Sequence, residues 1–100
     1  MYWVLLEQEA EQDIELLSKE YSRTSSKLKK RFVQTLTGSF ATLETFPLAF
    51  RVLVEINGLQ VRRMLLKGFP KALLYTVNEP EMEVRILRIY DTRSNNIRLL

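Results

Sequence analysis

The stretch LQVRRMLLKGFPKALLYTV, residues 59–77, determines the fold class of this chain. A strong turn signal, Asn57-Gly58, precedes it, and the break Gly68-Phe69-Pro70 divides it into two short segments. We predict one strand over Leu59–Lys67 and a second over Lys71–Val77. A polar turn at residues 78–81 follows, and alternating apolar positions then predict a third strand over Met82–Tyr90. Three consecutive strands with short connections predict an antiparallel meander.

Two segments upstream of these strands carry apolar residues at helical spacing. The first begins at Gln8 and the second follows a break at residues 23–26, where Thr24 or Ser25 can cap it. Pro47 excludes Phe46 from helical geometry and ends the second helix. Because the break is so short, the two helices should form an antiparallel hairpin. The apolar stripes are Ala10, Ile14, Leu17 and Tyr21 in the first helix, and Leu28, Phe32, Leu36, Phe40 and Leu43 in the second.

The segment Tyr2 to Leu6 is short, partly aromatic and partly β-branched, which predicts a first strand. This strand should join the meander at an edge or beside its last strand. The predicted order is therefore β-α-α-β-β-β, an α+β fold in which a helical hairpin packs on one face of an antiparallel sheet. Since no repeat, low-complexity tract or linker interrupts the sequence, we predict a single domain over residues 1–100.

Composition excludes several kinds of chemistry. The chain has no cysteine and no histidine, so thiolate metal sites, disulfides and Cys/His nucleophilic pairs are absent. No cofactor or metal is expected. The sequence contains no signal-peptide pattern and no apolar run long enough to span a bilayer, so we expect a cytoplasmic protein without a membrane partner.

Charge is distributed unevenly along the chain. Residues 1–22 hold six acids and one base, a balance of −5, whereas residues 23–100 hold fourteen bases and six acids, a balance of +8. The two sum to the net charge of +3. A basic part of this size either solvates the surface or forms a face for a polyanion or an acidic partner, and charge alone does not decide between the two.

Short motifs occur in one order along the chain: Ala10 with Asp13-Ile14, Leu43 through Pro47, Val61-Arg62-Arg63, Phe69-Pro70 with Leu74-Tyr75, and Tyr90-Asp91-Thr92-Arg93-Ser94-Asn95. In this order the chain resembles the RelE/ParE superfamily, the toxins of bacterial type II toxin–antitoxin systems. Its last motif is similar to the ParE-like branch that ends in D-T-R-x-N.

The resemblance implies a small toxin that a cognate antitoxin wraps and neutralises. ParE-like members inhibit DNA gyrase by protein–protein contact, whereas RelE-like members cleave mRNA in the ribosomal A site. The two branches share a fold, so the fold cannot distinguish them. Three hypotheses follow: a gyrase inhibitor, a ribosome-dependent endoribonuclease, and an orphan module that binds antitoxin without toxicity. A homodimer or a heterotetramer with the antitoxin is compatible with each.

Basic side chains of the β half should lie partly on the sheet face opposite the helices, because strand residues alternate between faces. Arginine suits phosphate because its planar guanidinium donates two hydrogen bonds and stays charged. The residues that we predict to bind the target or the antitoxin are Arg62, Arg63, Lys67, Lys71, Tyr75, Arg85, Arg88, Asp91 and Arg93.

A nuclease needs groups that move protons and stabilise charge, and without histidine these must be lysine, tyrosine or arginine. Under this alternative the catalytic residues are Arg63, Tyr75, Arg88 and Arg93. Ribosome-directed relatives carry a denser set of lysines, whereas the β half of this chain has Lys67 and Lys71 alone. We therefore favour the gyrase inhibitor, which is not an enzyme.

Several of these residues also have structural explanations. Tyr75 sits in an apolar segment, as expected of a core tyrosine with a hydrogen-bonded hydroxyl. Asp91 and Arg93 lie two residues apart and can pair with each other. Arg88 interrupts an apolar strand, and it is the strongest candidate for a functional charge because a buried arginine needs a partner or a pocket.

The basic cluster Lys27-Lys29-Lys30-Arg31 lies in the second helix. It predicts a solvated helix face. No aromatic residues interleave with these charges to stack on bases, so we do not expect the chain to bind free nucleic acid directly.

Overall fold

A computed structural model describes residues 1–93. Its elements are β1 (Trp3–Leu6), α1 (Gln8–Thr24), α2 (Ser26–Thr45), β2 (Arg51–Ile56), β3 (Leu59–Leu65), β4 (Lys71–Asn78) and β5 (Glu83–Asp91). The two helices form a hairpin on one face of the sheet, which confirms the predicted α+β fold. None of the helices within residues 1–93 has the length and apolar character that crossing a bilayer requires.

A single residue, Ser25, separates the two helices and starts the second. Its Oγ accepts a hydrogen bond from the backbone N–H of Leu28 at 2.9 Å, which satisfies one of the free donors of the first turn. At the other end, α2 stops at Thr45, and Phe46 leaves helical geometry before Pro47 with φ −127° and ψ 55°. Both predicted ends of α2 are therefore confirmed.

The sheet has five strands in the order β1-β5-β4-β3-β2. The prediction of three strands after the helices was wrong by one, because β2 precedes the Asn57-Gly58 turn and pairs with β3. Asn57 and Gly58 have φ values of 52° and 81°, the geometry that joins two antiparallel strands through a two-residue turn. The sheet is also mixed rather than purely antiparallel, since β1 runs parallel to β5 at the sheet edge.

The core lies between the helices and the sheet. Phe32 of α2 and Tyr75 of β4 are completely buried there. The rings of Tyr21, Phe32 and Phe69 pack with centroids 5.0 to 5.5 Å apart. Phe69 belongs to the turn between β3 and β4, where Gly68 has a φ of 82°, so this aromatic cluster joins the turn to the helical hairpin.

Candidate functional site

The two faces of the sheet differ in what covers them. On β4, Leu73 and Tyr75 belong to the core beneath the helices, so Ala72 and Leu74 point to the opposite face. All four residues are 0% exposed, although no helix or strand within residues 1–93 packs over the second face. We call this second face the uncovered face. Side chains of the neighbouring strands must therefore bury Ala72 and Leu74.

Cross-strand pairing aligns four residues on the uncovered face. Arg51 of β2 is opposite Arg63 of β3, Arg63 is opposite Leu74 of β4, and Leu74 is opposite Arg88 of β5. Directly paired residues project to the same side of a sheet, so the three arginines flank one buried leucine. We call these four residues the arginine row.

A hydrogen bond crosses above β4 on this face. The Nη1 of Arg63 donates to the hydroxyl of Tyr90, on the far side of β4, at 3.4 Å. Strands β3 and β5 are separated by two strand spacings, about 10 Å, so both side chains must lie along the surface to meet. Because Arg63 is opposite Leu74 and Tyr90 is opposite Ala72, this bridge explains why those two residues are buried.

Apolar side chains lie around the arginine row. Trp3 and Leu5 of β1 share the face of Arg85, and Val54, Leu59 and Leu65 share the face of Val61 and Arg63. Trp3 is 72% exposed. An exposed tryptophan beside arginines is the combination in which protein interfaces are enriched.

The arginine at the end of the row forms an ion pair at the sheet edge. The Nε and Nη2 of Arg88 donate to the two carboxylate oxygens of Asp13 on α1 at 2.8 and 3.0 Å. The same carboxylate accepts a hydrogen bond from the backbone N–H of Ile89 at 2.9 Å. Ile89 lies in the part of β5 that follows its pairing with β1, which ends at Ile86. The hydrogen bond that Arg88 donates to Asp13 raises the pKa of Arg88. The sequence suggested a partner for Arg88, and Asp13 is that partner.

Two of the basic residues on this face have no ion pair within residues 1–93, namely Arg51 and Arg63. In contrast, Arg85 pairs with Glu7 at 3.3 Å and with Glu83 at 3.4 Å. The uncompensated positive charge of the uncovered face therefore lies on the β2–β3 side.

Two other predicted site residues lie on the helix side, where they hold the connection between α2 and β2. Tyr75 donates its hydroxyl to the carbonyl of Pro47 at 2.6 Å, and burial raises the pKa of Tyr75 to about 12. Arg62 donates to the carbonyl of Phe50 at 2.7 Å and of Leu48 at 3.3 Å. The interpretation of Tyr75 as a packed core residue is confirmed, since it is 0% exposed.

The remaining predicted residues lie near the end of β5. Asp91 pairs with Lys71 at 3.0 Å and with Arg93 at 2.7 Å, and Lys71 is only 8% exposed. The hydrogen bonds from Arg93, and then that from Lys71, lower the pKa of Asp91 well below its usual range. The expected pairing of Asp91 with Arg93 is confirmed. Lys67 is exposed between β3 and β4.

The nine predicted residues therefore do not form one site but lie in several parts of the molecule. Three of them, Arg63, Arg85 and Arg88, lie on the uncovered face, and the others line the helix side, the β5 end or a turn. The sequence analysis missed Arg51 and Trp3 as members of the uncovered face, and it missed Asp13 as the partner of Arg88 at the sheet edge. A six-residue segment with three adjacent apolar residues before Asn57-Gly58 was the signal that could have identified β2 and with it Arg51.

Comparisons with known proteins agree with this architecture. The model of the family described as "ParE toxin of type II toxin-antitoxin system, parDE" matches residues 4–96. The chain is also similar to a solved structure from P. aeruginosa described as "Chromosomal ParDE TA system". The TM-score is 0.72 at 20% sequence identity, and the match covers 91% of this chain and 96% of the other. No curated protein matches the sequence. Ser94 and Asn95 of the last motif lie outside the described residues.

Proposed function

This chain belongs to the ParE toxin family of type II toxin–antitoxin systems, and from that premise we propose that it inhibits DNA gyrase in the cytoplasm by protein–protein contact. A cognate antitoxin with an acidic segment neutralises it. The observation that carries this proposal is the uncovered face, where the arginine row lies beside exposed apolar side chains.

The composition of this face suits a protein partner. Interfaces are enriched in tryptophan and arginine, and a few such residues supply most of the binding energy. Trp3 on the edge strand β1 and Arg63 on β3, three strands away, provide one anchor of each kind. A partner that spans them would remove apolar surface from water and reach Arg51 and Arg63, which have no ion pair in the described part of the chain.

Charge complementarity supports an acidic antitoxin segment on the same face. Arg51 and Arg63 are opposite each other on β2 and β3, so their like charges repel until an anion lies between them. The outer edge of β2 is free of a neighbouring strand within residues 1–93, and an extended segment can add there by backbone hydrogen bonds.

The nuclease alternative receives less support from the candidate groups. The hydroxyl of Tyr75 is buried beneath the helices and donates a hydrogen bond to the carbonyl of Pro47, so it is not available to a substrate on the uncovered face. Arg93 is bound to Asp91, and Arg88 is bound to Asp13. Of the four residues named for catalysis, Arg63 alone combines a position on the uncovered face with freedom from an ion pair within residues 1–93.

A supercoiling assay with purified gyrase tests the proposal. We expect the chain to inhibit supercoiling at micromolar concentration, Arg63→Gln to weaken inhibition, and Lys19→Gln to leave it unchanged. Each variant removes one positive charge, and Lys19 lies in an exposed pair with Glu15 on α1. The absence of inhibition at micromolar protein would overturn the gyrase assignment.

Two further measurements separate the alternatives. Cleavage of A-site mRNA on programmed ribosomes by the purified chain would identify a nuclease. If induction of the chain in bacteria causes no growth arrest while the antitoxin still binds, the chain is an orphan module.

A further inference from the structure

One end of the molecule concentrates positive charge from two separate parts of the chain. The helical hairpin contributes five bases around its tip, and the turn between β3 and β4 contributes a sixth. All six side chains are exposed. We call this group the cationic end, and its members are Arg23, Lys27, Lys29, Lys30, Arg31 and Lys67.

Aromatic packing brings the two parts together. Phe69 of the turn packs on Tyr21 of α1 and Phe32 of α2, with ring centroids 5.3 and 5.5 Å apart. The guanidinium of Arg31 lies 5.1 Å from the centroid of the Phe69 ring. Lys67 is two residues before Phe69, so its charge is attached to the same rigid corner.

The charges of the cationic end are not compensated. Within residues 1–93, none of its six members forms an ion pair with an acid. Asp91, an acid near this corner, is already bound to Lys71 and Arg93. Four of the five acids of α1 lie towards its other end, in residues 9–15, and the fifth is Glu20.

Helix stability does not account for this arrangement. The first turn of α2 contains no acidic residue, and bases occupy four of its first six positions. The dipole of a helix favours negative charge at its N-terminus, and positive charge there is unfavourable. The cluster therefore opposes the folding of the helix that carries it, which points to a role in binding an anion.

We propose that the cationic end binds the phosphate backbone of duplex DNA without sequence preference. Lys27, Lys30 and Arg31 line one open groove together with Gln34, at the spacing of one helix face. Phosphate contacts from lysine and arginine supply most of the affinity of non-specific DNA binding. This surface is separate from the uncovered face and goes beyond the proposed inhibition of gyrase.

The chemistry of the surface favours duplex DNA over a protein. Lysine is depleted in protein interfaces, and Val33 is the one large apolar residue exposed on α2 within the described chain. Single-stranded nucleic acid requires exposed aromatic rings for stacking, but Phe32 and Phe69 are buried against each other. The sequence predicted no binding of free nucleic acid because no aromatic residues interleave with the charges. That argument excludes binding by base stacking, but it does not exclude contacts with the phosphates of a duplex.

Fluorescence anisotropy of a short labelled duplex of random sequence tests the proposal, with the full chain as titrant. We expect micromolar binding at low salt, and a plot of log affinity against log salt with a slope of about −4, as for roughly four neutralised phosphates. The variant Lys27→Gln/Lys30→Gln should weaken binding about tenfold or more at low salt and reduce that slope by about 2.

A second double variant tests whether DNA binding depends on where the lost charges lie or only on the net charge of the chain. Arg51→Gln/Arg85→Gln also lowers the net charge from +3 to +1 but alters the uncovered face, and we expect its DNA binding to match that of the unchanged chain. Thermal unfolding checks folding, and the lysine variant should be at least as stable as the parent because it removes unfavourable charge from the N-terminus of α2.

Three outcomes would overturn the proposal: no binding at low salt, equal losses in the two variants, or tighter binding of polyglutamate than of the duplex. The last would assign the surface to an acidic protein. The supercoiling assay tests the gyrase proposal separately from the DNA proposal. We expect Lys27→Gln/Lys30→Gln to lose DNA binding and to keep its inhibition of gyrase, so the failure of one proposal is distinguishable from the failure of the other.

Discussion

Asp13 binds Arg88 through both carboxylate oxygens, and the pair fixes α1 against the free part of the β5 edge. The side chain of Asp13 is 13% exposed and that of Arg88 is 39% exposed. One carboxylate therefore satisfies a guanidinium and the backbone N–H of Ile89, where β1 has ended. The arginine that interrupts an apolar strand is held by the first helix, which gives it a structural role alongside any contact with a partner.

Asp13→Ala should lower the free energy of unfolding by about 2 kcal/mol, because it removes a charge-assisted pair and leaves the N–H of Ile89 without its acceptor. Arg88→Ala should cost about 1 kcal/mol, since Asp13 keeps its bond to Ile89. Urea unfolding of both variants measures the difference. Glu15→Ala, which breaks an exposed pair with Lys19, is the control and should change stability by less than about 0.5 kcal/mol. Equal losses for Asp13→Ala and Glu15→Ala would contradict this account.

Tyr75→Phe should destabilise the chain by about 1 kcal/mol at neutral pH, because the carbonyl of Pro47 loses its buried donor. If Tyr75 has no catalytic role, the variant should keep its toxicity in proportion to the folded fraction. Urea unfolding and growth arrest on induction are the two measurements. Complete loss of toxicity in a folded Tyr75→Phe protein would favour the nuclease.

The pKa of Tyr75 also predicts a response to alkali. In the folded chain the pKa of Tyr75 is about 12, whereas in the unfolded chain it is near its ordinary value of 10.0. Between these values the unfolded state loses the proton first, so the free energy of unfolding falls as the pH rises, by about 3 kcal/mol in total from this group. Unfolding experiments across this range should show a smaller decrease in Tyr75→Phe than in the parent. Identical slopes in the two proteins would contradict the pKa shift.

Asp91→Asn should lower the urea midpoint of unfolding, because it leaves the nearly buried ammonium of Lys71 without its carboxylate. Lys71→Met in the same background should recover part of the loss. The pKa of Asp91 is lowered in the folded chain, so its contribution is present above its ordinary pKa and is lost as the pH falls below it. Asp91→Asn should therefore flatten the acid side of the stability profile, and an unchanged acid side would contradict the assignment.

Arg63→Glu should weaken binding of an acidic antitoxin segment by about tenfold or more at low salt, and the loss should shrink as salt screens the charges. Calorimetric titration at two salt concentrations measures both effects. Lys19→Glu makes the same change of charge on α1, away from the uncovered face, and should bind as the parent does. If the two variants lose affinity equally, net charge rather than the arginine row controls binding.

Local patterns predicted the helical hairpin and most strands because their signals are contained within short segments. Ser25 and Pro47 mark the ends of α2 by their own chemistry, and Gly68 marks a turn that requires a positive φ. β2 escaped prediction for a physical reason. Val52, Leu53 and Val54 are three consecutive apolar residues, and the register of β2 with β3 shifts between Val52 and Val54. Because of this irregularity, the segment lacks the alternating pattern that predicts a strand.

The site was less predictable than the fold because it depends on contacts between distant residues. Asp13 and Arg88 are 75 positions apart, and no local pattern pairs them. Alternation indicates that Arg62 and Arg63 face opposite ways, but the sequence does not say which way the helices lie. The pattern of β4 did not resolve this, because the strand is buried on both faces and apolar residues of its middle, Ala72, Leu73 and Leu74, lie on each face.

The parallel pairing of β1 with β5 has a consequence for biosynthesis. Val4 and Val84 are aligned in register, so β1 waits for a partner that is made eighty positions later. Contacts that join such distant segments form late and slow folding. During translation the edge of β5 and the exposed Trp3 strand cannot assemble until the segment around Val84 has left the exit tunnel. A nascent chain in which the segment around Val84 is still inside the tunnel therefore lacks the assembled sheet edge.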